Sequence, residues 1–357
     1  MCYSHSRTKK PFSTKKSILE EFNMLKFAII GFGGLAKVHF KNVAAVTAAH
    51  PDAKLVALCD VDPKAFETQT ATNLGSNDAA LDFTGLNIYY SAEELLEKEE
   101  LDFVVTAIPT HEHSRIAVMA LNKGIHVFSE KPMARTLDQA QDMINAAKAN
   151  NKVLMIGQCL RYWPEYQIAK EVIDGGKYGK VVRAAFWRLS SFPKWCWNDW
   201  YSNAEWSGGA ILDLHVHDVD FINWAFGRPK SVSSSVTNLL GEHDSVVTDY
   251  EYDGMTVTAT GAWNMPLGYP FTMDFLIHFE KAVLEFKAGV LTLYKDGEKE
   301  VITTDGSDAY TNEVIDFVQC VKDNKWSAIN NPDTAYQSLE MALAEKVSGF
   351  ENRRVEL

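Results

Sequence analysis

The sequence predicts an α/β protein with an N-terminal doubly wound parallel sheet and a C-terminal α+β domain containing a large, mainly antiparallel sheet. The chain has 357 residues, which is more than one hydrophobic core usually serves. Strand-like and helical patterns alternate over residues 24–150, as they do when helices connect parallel strands. From residue 151 to residue 357, strand-like runs mix apolar and polar positions, which is typical of antiparallel sheets.

The first unit, residues 24–150, opens with the apolar run Lys26–Ile30, which we interpret as a buried strand followed by a helix over Leu35–Ala49. Ser91 and Glu94 have the spacing of a capping box, so a helix is expected to begin after Ser91. The other predicted elements are strands at Lys54–Cys59, Leu101–Ile108 and Ile125–Ser129, and a helix at Thr136–Asn150.

The second unit, residues 151–357, begins with a short apolar strand and continues with runs of strand character. Its predicted strands are Val153–Ile156, Val181–Leu189, Ser231–Leu239, Met255–Asn264, Phe271–Phe279 and Ala282–Phe286. Asp296-Gly297 is the turn signal of a hairpin. Helices are predicted near Asn312–Val321 and Thr334–Ser348, and the C-terminal helix is expected to pack back on the first domain.

Composition restricts the class of protein. A net charge of -12 argues against a general nucleic-acid binder, which needs a basic face. No apolar run reaches the roughly 18 residues of a membrane span. The five cysteines lack metal-ligand spacing, which favours free thiols in a reducing cytoplasm. Residues 1–23 are basic and lack the apolar core of a secretory signal, so we expect a disordered, dispensable extension.

Gly31-Phe32-Gly33-Gly34-Leu35-Ala36 lies where the first strand turns into a helix. Gly31 permits a tight turn, Gly33 allows a pyrophosphate to approach the backbone, and the small Ala36 allows the helix to pack on the strand. Asp60 ends the second strand, where a carboxylate binds ribose hydroxyls and repels a 2′-phosphate. Because Val61 rather than arginine follows, the pattern favours NAD over NADP. A purely structural glycine turn is the alternative.

Glu130-Lys131-Pro132 follows a predicted strand directly, at the sheet edge where open α/β sheets bind ligands. A lysine there can donate to a substrate oxygen beside a bound nicotinamide. Taken alone, any lysine could instead be a solvated surface residue. Pro132 restricts the backbone before it.

Asp213 and His217 are four positions apart on a predicted helix, so they should share a face, and Asp220 follows three positions later. A carboxylate beside an imidazole raises its basicity, which suits a base that removes a proton from an alcohol. His215 points elsewhere on the helix. The alternatives are a buried helix with acidic caps, or a zinc site. No third ligand has suitable spacing, so we predict no metal.

An aromatic-rich segment precedes that helix and contains Trp195, Trp197, Trp200, Tyr201 and Trp206. These rings could stack on the apolar face of a sugar, pack within the loop or contact another subunit. Arg161 and Tyr166 are expected at the mouth of the pocket. His113 is expected beside the cofactor, with a structural role as the alternative.

Together these motifs resemble the Gfo/Idh/MocA oxidoreductases, the family of glucose–fructose oxidoreductase and the inositol dehydrogenases. The resemblance spans about Met24 to the C-terminus and departs from the family pattern at Ala36 and Thr110. It implies a Rossmann domain, catalytic Lys131, Asp213 and His217, and a homodimer or homotetramer built on the second sheet. The expected cofactor contacts are Gly31, Phe32, Gly33, Gly34, Leu35, Asp60, Ile108, Pro109, His113, Glu130 and Lys131. The expected substrate contacts are Lys131, Arg161, Tyr166, Trp206, Asp213 and His217.

The resulting hypothesis is a cytoplasmic NAD-dependent dehydrogenase that oxidises a hydroxyl of a sugar, cyclitol or related polyol, or catalyses the reverse reduction. Two alternatives stay open. One is an enzyme similar to dihydrodiol dehydrogenases that acts on apolar diols. The other is a non-catalytic sensor that binds NAD, although a sensor does not need a proton-transfer pair.

Overall fold

A computed structural model describes residues 24–67, 81–194, 196–238 and 244–357. Within these ranges the first sheet has six parallel strands, in the order β3-β2-β1-β4-β5-β6. They are β1 (Leu25–Ile30), β2 (Ala53–Cys59), β3 (Asn87–Tyr89), β4 (Phe103–Thr106), β5 (His126–Glu130) and β6 (Leu154–Gly157). The strand order reverses between β1 and β4, which is where sheets of this type bind ligands at their carboxyl ends.

Among the described residues, four α-helices connect the strands of this sheet: α1 (Gly34–Ala49), α2 (Ala92–Lys98), α3 (His113–Asn122) and α4 (Leu137–Ala149). Helix α2 begins as predicted, because the Ser91 hydroxyl accepts the Glu94 backbone N–H at 3.2 Å. Helix α1 begins at Gly34, and its N-cap residue, Gly33, has no side chain to cap it. Its first N–H groups are therefore available to a ligand.

The second sheet has nine strands in the part of the chain described, in the order β14-β13-β12-β11-β7-β10-β9-β8-β15. They are β7 (Val181–Ser191), β8 (Ser231–Thr237), β9 (Ser245–Tyr252), β10 (Met255–Met265), β11 (Thr272–Phe279), β12 (Val283–Lys287), β13 (Val290–Lys295), β14 (Glu298–Ile302) and β15 (Val355–Glu356). Only the pairing of β7 with β10 is parallel. The predicted fold class, with a mainly antiparallel second sheet, is confirmed.

In the described ranges, five further α-helices follow β6 in the chain: α5 (Pro164–Gly175), α6 (Ala204–Ser207), α7 (Val216–Phe226), α8 (Ala309–Asp323) and α9 (Pro332–Glu351). Helix α8 packs back on the first sheet, where Phe317 lies edge-on to Phe103 and Phe128 at 5.5 and 5.7 Å between ring centroids. No helix in the described ranges is long and apolar enough to cross a membrane.

The structure differs from the sequence prediction in several elements. Strand β6 belongs to the first sheet, so that unit extends past residue 150. The prediction missed β9, whose exposed positions are Val247, Asp249 and Glu251. It also missed α5, which begins at Pro164. The strand predicted over Ser231–Leu239 ends at Thr237. Three positions named in the sequence analysis lie outside the described ranges: residues 1–23, Trp195 and Leu239.

Candidate active site

Two adjoining cavities lie at the carboxyl ends of the first sheet. The larger, of about 500 Å³, is lined by the glycine loop, the end of β2 and the loop after β4. The smaller, of about 130 Å³, lies toward the second sheet. The residues that line both are Leu35, Glu130, Lys131, Tyr201 and Asp213. Lys131 and Asp213 therefore lie at the junction of the two cavities.

The glycine loop is shaped to receive a phosphate group. Gly31 has a φ of +86°, and a Cβ atom there would lie 2.3 Å from the Ala107 carbonyl oxygen. A Cβ atom on Gly33 would meet no protein atom within 4 Å, and Gly33 lines the larger cavity. The uncapped start of α1 adds free N–H groups and the positive end of the helix dipole. These features fit the pyrophosphate of a dinucleotide.

Asp60 is fixed at the end of β2 by two backbone groups. Its carboxylate accepts the N–H of Phe32 at 2.6 Å and the N–H of Asp62 at 2.9 Å. Asp62 and Glu93 also line this end of the larger cavity. An acidic end of the cavity fits ribose hydroxyls and disfavours a 2′-phosphate, as in NAD-binding sites.

All but one of the other predicted cofactor residues line the larger cavity. They are Phe32, Gly34, Leu35, Ile108, Pro109, Glu130 and Lys131. The exception is His113. His113 is buried instead, and its ring nitrogens lie 2.7 Å from the Pro132 carbonyl oxygen and 2.9 Å from that of Ile108. It corresponds to the structural alternative, because it ties the loop after β4 to the loop after β5.

Lys131 is paired with Asp213 across the junction of the cavities. Its ammonium group donates to an Asp213 carboxylate oxygen at 3.1 Å and to the Asp213 backbone carbonyl. Both side chains remain partly exposed, at 12% and 13%. The pair holds a hydrogen-bond donor in place at the end of β5, where a substrate oxygen can reach it.

His217 lines the smaller cavity, but its surroundings differ from the prediction. Asp213 pairs with Lys131, and no carboxylate in the described ranges forms a hydrogen bond with His217. The nearest recorded polar contact is the Cys159 thiol, 3.9 Å from Nδ1. Burial, assisted by the positive charges of Lys131 and Arg188, holds the pKa of His217 well below its ordinary value. The expectation of a raised basicity was wrong, because this imidazole is buried and has cations rather than acids nearby.

Arg188 is a site residue that the sequence analysis missed. It lines the smaller cavity and forms a two-pronged ion pair with Asp218, at 2.9 and 3.0 Å. The available signal was an arginine at an inward position of β7, between apolar residues. Such a residue needs a buried carboxylate partner, and only the fold could identify Asp218 as that partner.

Arg161 and Tyr166 lie in the protein interior and line neither cavity, which corrects the expectation that they form the pocket mouth. The Arg161 guanidinium donates to Asp220 at 2.9 and 2.7 Å. Tyr166 lies behind Arg188, whose Nη2 donates to the tyrosine hydroxyl at 3.4 Å. Asp220 thus forms an ion pair with Arg161 and not with His217. Neither side chain is free to contact a substrate in this arrangement.

The aromatic segment forms one wall of the larger cavity, through Trp197, Trp200, Tyr201 and Trp206. Trp206 stacks on His111, with 4.5 Å between ring centroids and 29° between ring planes. Tyr201 lines both cavities. Of the three roles considered from the sequence, this location favours a contact with ligand.

Sequence comparison identifies relatives over most of the chain. Residues 25–158 match the profile described as "Oxidoreductase family, NAD-binding Rossmann fold", and residues 166–285 match the "GFO/IDH/MocA C-terminal domain". The scyllo-inositol 2-dehydrogenase (NAD(+)) of Bacillus subtilis is 26% identical over 347 residues, covering 90% of this chain and 93% of that protein. The inositol 2-dehydrogenase of Salmonella typhimurium is 27% identical over 262 residues, or 70% of each chain.

Solved structures share the fold. Levoglucosan dehydrogenase in complex with NADH and levoglucosan superposes with a TM-score of 0.78 at 19% identity, covering 93% of this chain and 99% of that one. The WlbA dehydrogenase from Bordetella pertussis, in complex with NADH and UDP-GlcNAcA, gives a TM-score of 0.76 at 22% identity, covering 94% and 99%. Because both profiles occur in order and together cover most of the sequence, this chain belongs to the Gfo/Idh/MocA family of NAD-binding oxidoreductases.

Proposed function

We propose that this protein is an NAD-dependent dehydrogenase that oxidises a ring hydroxyl of a cyclitol, sugar or related polyol, or runs the reverse reduction. The observation that carries the proposal is the Lys131–Asp213 pair at the junction of the two cavities, with His217 lining the smaller one. A polar donor and a candidate base thus lie beside the predicted cofactor cavity. The relatives that act on inositols support the choice of substrate class.

In this proposal Lys131 hydrogen-bonds the reacting hydroxyl and stabilises the negative charge that develops on its oxygen. Asp213 positions the Lys131 ammonium through the contact at 3.1 Å. Bound NAD, held by the glycine loop and Asp60, would supply the hydride acceptor for the carbinol carbon. The reaction also requires removal of the hydroxyl proton, and a residue of the smaller cavity does this.

His217 serves as the proton acceptor. Its lowered pKa keeps the imidazole neutral at neutral pH, so it has a free nitrogen lone pair for the hydroxyl proton. The same nearby cations, Lys131 and Arg188, disfavour the protonated ring, so the proton should leave readily after each turnover. His217 can return it in the reverse reduction.

The smaller cavity and the aromatic wall suit a compact polyol. Tyr201 lines both cavities and Trp206 lines the adjoining part of the larger one, so both can present ring surfaces next to the polar atoms of Lys131 and Asp213. This combination matches the apolar faces and hydroxyl edge of a six-membered ring. A flat apolar diol has fewer hydroxyl groups, so it would form fewer hydrogen bonds with Lys131 and Asp213.

The test is turnover of the purified protein with NAD, and separately with NADP, across inositols, hexoses, pentoses, sugar acids and aromatic dihydrodiols. Reduced nicotinamide is followed by absorbance. We expect NAD-linked turnover with a cyclitol or sugar. Turnover of dihydrodiols alone would replace the polyol assignment, and tight NAD binding without any turnover would favour the sensor alternative.

We also propose a homodimer or homotetramer built on the open face of the second sheet. Trp187 and Val247 both pair in register with Thr260, so these two exposed apolar side chains lie on one face. Light scattering after gel filtration should give a multiple of the 40.0 kDa chain mass, and Trp187→Glu should shift it toward the monomer. A monomeric wild type would refute this assembly.

A further inference from the structure

Three ionisable side chains that the proposed reaction does not use meet behind the active site. They are His39 on α1, Glu130 at the end of β5, and Glu313 on α8. One ligating atom from each lies within 4.8 Å of the other two. Their exposed fractions are 4%, 4% and 0%, so this is an interior cluster rather than a solvated acidic patch.

Glu313 is the unusual member of the cluster. Both of its carboxylate oxygens are buried and lack a hydrogen-bond partner. The charged groups near it, Glu130 and Asp308, are both acidic. Among the residues described, no lysine or arginine forms an ion pair with it. A buried carboxylate without a partner is costly, so Glu313 must either hold a proton or be balanced by a cation.

The other two members point donor atoms at the same space. His39 Nε2 lies 2.7 Å from a Glu130 carboxylate oxygen, and His39 Nδ1 has no recorded partner. A metal ion bound at about 2.0–2.2 Å allows its ligand atoms to be up to about 4 Å apart. The cluster approaches this limit, so small side-chain rotations would close it around an ion.

We propose that His39, Glu130 and Glu313 bind a divalent transition-metal ion, with Zn²⁺ and Mn²⁺ as the best matches. One imidazole nitrogen and two carboxylates form a donor set that these ions accept, whereas Mg²⁺ and Ca²⁺ prefer oxygen ligands alone. The ion neutralises two buried carboxylates that otherwise repel each other. Glu130 lines both cavities, which gives the ion a route from solvent.

The position of the site defines a structural role. The ion joins α8 to α1 and to the end of β5, which are elements far apart in the sequence. The second Glu130 oxygen accepts the backbone N–H of Lys131 at 3.2 Å. Fixing Glu130 therefore fixes the backbone of the residue that carries the reactive ammonium. The site is independent of which substrate the enzyme oxidises.

The experiment uses the full-length protein, stripped with EDTA, desalted and then loaded separately with Zn²⁺, Mn²⁺ or Mg²⁺. Bound metal is counted by elemental mass spectrometry after a second desalting step, and the melting temperature is recorded with and without metal. Glu313→Gln keeps the side-chain shape but removes the charge. Glu345→Gln is the matched control, because Glu345 is also fully buried but pairs with His215 at a separate place.

We expect the wild type and Glu345→Gln to retain about one Zn²⁺ or Mn²⁺ per chain and to melt at a higher temperature when loaded. Mg²⁺ should have no such effect. Glu313→Gln should bind at least about tenfold more weakly and show no metal-dependent shift. Any adventitious sites elsewhere in the chain are common to all three proteins and cancel in this comparison.

Two results would overturn the proposal. The first is equal metal uptake by wild type and Glu313→Gln. The second is the absence of metal uptake by the wild type. If Glu313→Gln were then as stable as the metal-free wild type, Glu313 would be held as a neutral acid by a proton. Neither readout depends on turnover, so failure here is distinguishable from failure of the proposed dehydrogenase activity.

Discussion

Lys131 acts on two neighbours in opposite ways. Its ammonium attracts the Asp213 carboxylate and forms a direct contact with it at 3.1 Å. The same positive charge disfavours protonation of His217 and, with burial and Arg188, lowers the pKa of that ring. One lysine thus supplies the donor for a substrate oxygen and helps to keep the proton acceptor neutral.

Replacing His217 with alanine should lower kcat for polyol oxidation by about 10²–10⁴-fold, because general base catalysis typically contributes that much. Affinity for NAD, measured by fluorescence titration, should be unchanged, since His217 does not line the larger cavity. His278→Ala, at an exposed position on β11, is the control. Equal turnover by His217→Ala and wild type would remove His217 from the mechanism.

The pH profile of kcat/KM should reflect the lowered pKa of His217. The neutral ring is the active form, so activity should persist as the pH falls from 7.5 to the ordinary histidine pKa of about 6.5. It should decline only at lower pH. Steady-state rates in buffers of constant ionic strength give the profile. If kcat/KM fell with a midpoint at or above a pH of about 6.5, the lowered pKa of His217 would be contradicted.

At the scale of secondary structure, two irregular segments form the site. The glycine loop replaces a regular strand-to-helix turn and leaves space at Gly33. Ile211–His215 is wound as a π-helix before α7 begins at Val216. A π-turn adds a residue per hydrogen-bonded loop, so Asp213 and His217 do not have the α-helical relation that their spacing predicted. Asp213 is instead directed to Lys131.

Alanine substitutions in the glycine loop should separate folding from cofactor binding. Gly31→Ala places a Cβ atom against the Ala107 carbonyl at a positive φ, so it should destabilise the protein by about 1–3 kcal/mol. Gly33→Ala meets no protein atom, so its melting temperature should match the wild type while NAD affinity falls. Thermal unfolding and NAD titration of both variants measure this. A Gly33→Ala protein with normal NAD affinity would refute the phosphate-binding role.

At the scale of the whole molecule, the site exists only where the two sheets meet. Lys131 comes from the first sheet, Arg188 from β7 of the second, and Asp213 and His217 from the segment between β7 and β8. Arg161 helps to hold these parts together: besides Asp220 on α7, it donates to the Ile329 carbonyl and the Thr334 hydroxyl, both at 2.8 Å. Its role is architectural.

Arg161→Ala should destabilise the protein by about 3–5 kcal/mol, because it leaves the Asp220 carboxylate buried without its ion pair. Arg228→Ala removes a partly exposed ion pair with Glu340 and should cost less than about 1 kcal/mol. Urea unfolding of both variants gives the two values. If Arg161→Ala were as stable as Arg228→Ala but had a raised KM, the substrate-binding role expected from the sequence would be restored.

The sequence by itself determined the fold class, the glycine loop, the Asp60 position and the strand-end Lys131. Each depends on local spacing, such as the alternation of strands and helices or a turn that requires glycine. Only the tertiary structure decided that Asp213 pairs with Lys131, that Asp220 pairs with Arg161 and that Arg188 enters the site. It also brought His39, Glu130 and Glu313 together. These contacts join residues distant in the chain, and burial and electrostatic pairing between packed elements are not encoded in local periodicity.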